Sequence, residues 1–352
     1  MKAKRALALA PVIALALAGC GGSTGSSGGA TNAVTDADCA KAEVICVGLV
    51  TDLGKVDDKS FNQSAWEGVQ KGVAAVGGVS KYVETTDTKD YATNMAKFTA
   101  KKYDVVVTVG FLMADATAAA AKANPDTKFI GVDQAQPKDA LANYTSLTFP
   151  EDQAGYAAGF LAGKITKSNK LAQVLGLQIP PVEKFAKGFE AGAKAANPAV
   201  SVSLVYHPAG DNAFTDPVWG GNEAKKALAQ GADVVFGAGG KTGNGALAEV
   251  AKASGAGTSV FCIGVDTDQW NTVPEAHKCL VTSAMKLIAD GVGELIGQVK
   301  AGSIKGGYFT GKVGLADYHD LASAVPADVA SAVTTTLKGL TDGSIKTGVT
   351  VG

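Results

Sequence analysis

The chain has 352 residues, 32 basic against 33 acidic side chains, a formal net charge of −1, 46% hydrophobic residues and 44 glycines. At roughly 150 residues per domain, this length predicts about two domains, each able to bury a core. The charge balance excludes an electrostatic grip on nucleic acid, which needs a basic face, and the apolar fraction excludes disorder over the whole length.

Residues 1–19 read as a signal peptide. Lys2, Lys4 and Arg5 precede an apolar run from Ala6 to Ala18, shorter than the roughly 20 residues that span a bilayer. The run ends in Leu17-Ala18-Gly19-Cys20. This resembles a bacterial lipobox and implies cleavage before Cys20, lipid on its sulfur and new amine, and a membrane anchor on the extracytoplasmic face. Residues 20–42 then form the lipidated cysteine and a tether, whose Gly/Ser/Thr-rich stretch 21–35 is flexible by composition. Four cysteines remain: Cys39, Cys46, Cys262 and Cys279. An even remainder in an exported chain suggests two disulfides, and Cys39–Cys46 with Cys262–Cys279 is the cheapest of the three connectivities. No C-x-x-C occurs and the three histidines lie far apart, so no metal is expected.

From residue 43 short β-branched runs alternate with Ala-rich stretches of helical period. Val44–Val50, Val105–Val109, Lys128–Val132, Leu171–Leu177, Val200–Tyr206, Val234–Gly237 and Ser259–Val265 read as buried strands, Leu280–Ser283 as another, and 285–300 as a helix. Strands alternating with helices predict α/β lobes with parallel sheets flanked by helices. Residues 43–146 plus about 267–310 form the first lobe, and 150–265 plus about 311–352 the second, joined by several crossings that act as a hinge. Ligands in such sheets sit beyond the carboxyl ends of the strands.

The first strand ends at Asp52. Ser60 and Gln63 have capping-box spacing, which starts a helix with Phe61 and Asn62 in its first turn. An aromatic face beside a carboxylate and an amide suits a flat, hydrogen-bonding ring. Phe129-Ile-Gly-Val-Asp133 and Phe261-Cys-Ile-Gly-Val-Asp266 end in the same way, so three carboxylates at strand ends converge if the lobes face each other. Val234–Gly245 reads as a strand followed by a glycine-rich loop whose backbone approaches a ligand closely. It lacks the upstream glycine of a P-loop, and its match to a dinucleotide fingerprint is weak. No nucleophile elbow or H-E-x-x-H occurs, so catalysis and a cofactor are not expected.

Several motifs stand together in order: Val50–Gly54 with Asp57–Gln63, Gly188–Gly192, Gly239–Gly245, Gly264–Gln269 and Thr282–Lys286. Together they resemble the basic membrane protein (BMP) family, the PnrA-like substrate-binding lipoproteins of ABC transporters. The resemblance covers residues 43 to about 320. It implies a two-lobed type I periplasmic-binding fold, a monomer, and capture of a purine nucleoside (guanosine, inosine or adenosine) for delivery to permease subunits. Phe61 is similar to the aromatic that stacks on the base, and Phe214 to the opposing aromatic. Asp52, Asn62 and Asp133 match positions around the base, and Gly240, Asp266 and Lys286 match ribose-binding positions. The alternatives are another small polar ligand such as a sugar or, in a different class, an extracellular nucleoside hydrolase.

Overall fold

In the computed structural model of the protein, residues 35–351 apart from 40 and 42 are described. The leader, Cys20 and nearly all of the Gly/Ser/Thr-rich stretch lie outside the described residues. The body begins earlier than residue 43. Asp36 binds Lys81 at 2.5 Å and the Tyr103 hydroxyl at 2.9 Å, and Cys39 is bridged to Cys46. The second bridge joins Cys262 to Cys279, so both expected pairs form.

The first lobe opens with β1 (Ile45–Leu53), α1 (Phe61–Val76), β2 (Gly78–Thr85), α2 (Tyr91–Thr99), β3 (Val105–Val109), α3 (Ala114–Ala123), β4 (Lys128–Val132) and β5 (Tyr144–Thr148). All nine residues of β1 are buried. Ile45, Val47 and Leu49 face one cluster, and Cys46 and Val50 face another with Tyr91, Met95 and Phe98. This is the mark of a strand covered on both sides. The second lobe holds α4 (Glu151–Ile165), β6 (Lys170–Leu175), α5 (Pro180–Ala196), β7 (Ser201–Tyr206), α6 (Pro217–Ala229), β8 (Val234–Ala238), α7 (Gly240–Val250), β9 (Phe261–Asp266) and β10 (Leu280–Lys286). The chain returns to the first lobe as α8 (Ile288–Lys300), packed on α1, and β11 (Gly307–Thr310). It then crosses again to β12 (Val313–Leu315) and α9 (Ala327–Asp342), which packs on α4.

The sheets run β11-β5-β4-β3-β1-β2 and β12-β10-β9-β8-β6-β7, parallel throughout except for β12. Each lobe therefore repeats one strand order, with its switch point beside β1 and β3 or beside β6 and β8. Three crossings join them, at residues 149–150, 287 and 311–312. They are tied by Leu287 N–H to Lys312 C=O at 2.9 Å and Gly311 N–H to Thr148 C=O at 2.8 Å.

Three expectations need correction. Residues 267–286 belong to the second lobe, because β10 pairs with β9 and the crossing falls at Leu287. The helix expected from 285 starts at Ile288, since Met285 and Lys286 remain in β10, paired with β12. The glycine-rich stretch after β8 is the start of α7 rather than a loop. Its glycines serve packing: a Cβ on Gly245 would lie 2.0 Å from the Pro217 carbonyl.

Helix α4 meets α5 backbone to backbone. A Cβ on Gly159 would stand 1.9 Å from the Phe189 carbonyl, and one on Gly192 1.9 Å from that of Tyr156. Gly159→Ala should therefore destabilise the protein by about 1–3 kcal/mol through overpacking, although alanine is the better helix former by about 1 kcal/mol. Gly297 in α8 has open space around its Cβ direction, so Gly297→Ala should stabilise by up to about 1 kcal/mol. Opposite shifts of the urea midpoint check the pair.

Candidate functional site

The carboxyl ends of β1, β4, β8, β9 and β10 face one cavity between the lobes, about 650 Å³ of unfilled space including its mouth. At the two switch points, glycine is required by close approach. A Cβ on Gly110, after β3, would fall 2.5 Å from the Asp52 side chain, and one on Gly239, after β8, 2.5 Å from the Gly176 nitrogen.

All eight expected residues line this cavity: Asp52, Phe61, Asn62, Asp133, Phe214, Gly240, Asp266 and Lys286. Asp52 is held by the Tyr91 hydroxyl and by the Leu53 and Leu112 N–H groups at 2.6 and 3.2 Å. Burial pushes its carboxyl up, against those three donors. Phe214 is brought in from the loop before α6 because position 176 is glycine: a Cβ there would lie 2.2 Å from its ring.

Asp133 and Asp266 are counterparts. Each follows an Ile-Gly-Val sequence at equivalent positions of the two sheets, and each has a left-handed backbone, with φ of 59° and 66°. Aspartate tolerates that conformation better than most residues, and it occurs here at both ends of one ion-pair network. Lys286 bridges them. Its ammonium hydrogen-bonds Asp133, lies 3.6 Å from Asp266 Oδ1 and 4.0 Å from Glu151 Oε1, and sits 4.5 Å from the centre of the Phe61 ring. Burial pulls the ammonium's pKa down, but Asp133, Asp266 and Glu151 together raise it above its ordinary value. Burial also raises Asp266, against the pull of Lys286 and Ser60.

The start of α1 differs from the expected capping box. Ser60 makes no cap bond. Its hydroxyl crosses the cleft to Asp266 Oδ2 at 2.7 Å. Asp58 caps instead, accepting from the N–H groups of Ser60, Asn62 and Gln63 at 2.9, 2.8 and 3.1 Å. Burial pushes its carboxyl up to about 6, against these three bonds.

The mouth is latched by the loop before α1. Asp57 pairs with Lys241 at 2.7 Å, the Asp58 carbonyl accepts from Asn244 at 2.8 Å, and the Lys59 carbonyl accepts from Thr272 at 2.8 Å and Gln269 at 3.2 Å. Lys59 itself is left-handed, with φ of 64°.

Sequence reasoning missed Asp58, Phe111 and Phe185 in the cavity lining and Glu151 behind it. Asp58 stood inside the quoted motif, two residues before the first helical turn's cap, and that spacing was its only signal. Phe111 follows the switch-point glycine. Phe185 lies on the inward face of α5, where it reads as ordinary core.

Asn62 and Asp133, both in the cavity lining, each have a side-chain oxygen, Oδ1, that is buried without a hydrogen-bond partner. Such atoms cost free energy unless a ligand or water satisfies them. Among the described residues, no group of three or more histidine, cysteine or acidic side chains is placed to hold a metal ion. None of their helices is long and apolar enough to cross a membrane.

Two α/β lobes joined by three crossings around an interlobe cavity define the type I periplasmic-binding fold. A solute-binding protein of an ABC transporter system from Aeropyrum pernix K1 shares that fold, with a TM-score of 0.75 at 23% identity over 86% of this chain and 92% of that one. Residues 45–315 match the Bmp family, described as ABC transporter substrate-binding protein PnrA-like, and the chain belongs to it. It is similar to the CD4+ T-cell-stimulating antigen of Listeria innocua, 34% identical over 361 residues, 97% of each chain. It is also similar to the ABC transporter nucleoside-binding protein BmpA of Lactococcus lactis, 37% identical over 272 residues, 75% of this chain and 72% of that one.

The cap assignment is testable by thermal melts. Asp58→Ala should cost about 1–2 kcal/mol through the lost cap, and Ser60→Ala about 1 kcal/mol or less through one lost hydrogen bond. A capping box would give the reverse order.

Proposed function

We propose that the protein captures a purine nucleoside between its lobes and delivers it, from a lipid anchor at Cys20 on the extracytoplasmic face, to ABC permease subunits for import. The observation that carries this reading is the pair of unpartnered acceptors, Asn62 Oδ1 and Asp133 Oδ1, on two residues of a cavity that Phe61, Phe111, Phe185 and Phe214 also line. A flat ring bearing N–H groups, joined to a sugar bearing hydroxyls, matches both features at once. The Asn62 amide offers donor and acceptor to a base edge. Phe61 from one lobe and Phe214 from the other offer ring faces, and Asp266 and Asp133 accept from ribose hydroxyls. Similarity to a relative named as nucleoside-binding supports the same ligand class.

Closure would strip the ligand of water and leave site carboxylates unpaired if the ribose were absent, so a free base should bind far more weakly than its nucleoside. The family to which the chain belongs consists of substrate-binding proteins, and the protein is read as a binder rather than an enzyme.

A thermal-shift and calorimetry panel of guanosine, inosine, adenosine, free bases, ribose and hexoses tests the reading. The nucleosides should raise the melting temperature. Phe61→Ala should weaken them by about 1–3 kcal/mol, and Asp266→Ala should weaken them more than it weakens any free base. A sugar that stabilises the protein while no nucleoside does would overturn the ligand class. Release of free base during incubation with inosine would make the protein a hydrolase.

A further inference from the structure

The floor of the cavity carries an imbalance of buried charge. Lys286 faces three carboxylates with side chains under one-tenth exposed: Asp133 from the first lobe, and Asp266 and Glu151 from the second. Each lobe brings acid to the same ammonium. One buried ammonium offsets one carboxylate, and further carboxylates in the same dry volume must find other partners or take up protons. Asp266 receives the Ser60 hydroxyl, and Asp133 holds the Lys286 hydrogen bond. Glu151 stands farthest from the ammonium. Its other oxygen meets only Lys184 of α5, at 3.1 Å, a side chain one-third exposed and therefore screened by water.

Glu151 and Asp133 belong to different lobes, so parting the lobes would weaken their repulsion and admit water to Glu151. We infer that Glu151 is a positioning residue for Lys286 that takes up a proton as the lobes close, so that ligand capture is coupled to protonation at the hinge. The inference rests on the nucleoside reading only for its choice of probe.

The electrostatics agree in sign. Burial, then the charge of Asp133, pushes Glu151 up from 4.5 to about 7 in this closed arrangement, against Lys286 and Lys184. A carboxyl raised by closure penalises the closed state fully above the raised value, and the penalty fades as pH falls toward the ordinary one. Affinity should therefore rise on acidification, by about ten- to thirtyfold between pH 8 and pH 5.5 for a shift of this size. Asp133, Glu151, Lys184 and Tyr308 also line a second, separate recess. The groups facing Glu151 are Asp133 after β4, Lys286 at the end of β10 and Lys184 on α5, with Asp266 beyond Lys286. Asp58, which faces Asp266, is also raised.

The test combines nucleoside calorimetry between pH 5.5 and 8, in buffers of different ionisation enthalpy, with small-angle scattering of the ligand-free protein over the same range. Wild type should take up a fraction of a proton on binding, bind more tightly in acid, and become more compact as pH falls. Glu151→Gln should bind with a flatter profile, lose its share of the uptake and lose the pH-dependent compaction. Lys184→Met, which removes the screened cation, should move the midpoint to higher pH and guards against a Glu151→Gln protein that fails to fold. Nucleoside binding with no uptake, or a Glu151→Gln profile that matches wild type, overturns the inference and leaves the ligand class standing. Compaction that depends on Glu151 without nucleoside binding at any pH does the opposite.

Discussion

An ammonium taken wholly out of water is tolerable only when anions are fixed around it, and Lys286 imposes that condition on both lobes. Asp133 must come from one side of the cleft and Asp266 from the other, with Glu151 closing the ring from the first turn of α4. The two aspartates reach Lys286 from strained backbone at matching strand ends, so strain of similar size sits in each lobe. Such strain persists only when its surroundings over-determine it. Here the restraints are the ammonium itself, the Ser60 hydroxyl bound to Asp266, and the glutamines that fold back beneath the two turns. Gln134 and Gln269 occupy space that a Cβ on Gly131 or Gly264 would take, with approaches of 2.3 and 2.6 Å. The repeated Ile-Gly-Val-Asp is therefore one structural device used twice.

The aromatic wall and the charged floor do different work. Phe61 touches both, as its ring lies over the ammonium while it also lines the cavity. A cation over a ring face is favoured most where water is excluded, which ties the ring's position to the ion-pair network beneath it. Asp58 sets the same ring from the other direction by capping α1. The polar network and the apolar surface are thus coupled through one side chain.

Much of this was legible in the sequence because β-branched runs mark buried parallel strands, and a residue just past such a run stands at the sheet's carboxyl edge. That logic placed Asp52, Asp133 and Asp266 each at a strand's carboxyl end, and brought them together on the condition that the two lobes face each other. It failed where pattern and contact diverge. Ser60 and Gln63 have the spacing of a capping box, but a neighbouring lobe offers Ser60 a better partner, and Asp58 takes over the cap. The edge strand β2 escaped because it is half exposed, with an irregular pattern, and the interior strand β5 because it is short and polar. The lobe boundary after β9 was misplaced because nothing local distinguishes a strand that stays in its sheet from one that crosses. Glu151 was invisible as a site residue, since a glutamate in the first turn of a helix is ordinary helix chemistry.

The three crossings are held to one another by main-chain hydrogen bonds, at Leu287 with Lys312 and at Gly311 with Thr148. Side-by-side strips fastened in this way form a flexure: they bend readily about the axis along their row and resist sliding or twisting. A joint of that kind would return the two lobes to the same register at each closure and leave little rotational entropy to be lost when they meet. Shape selectivity is in this sense built into the joint as well as into the walls.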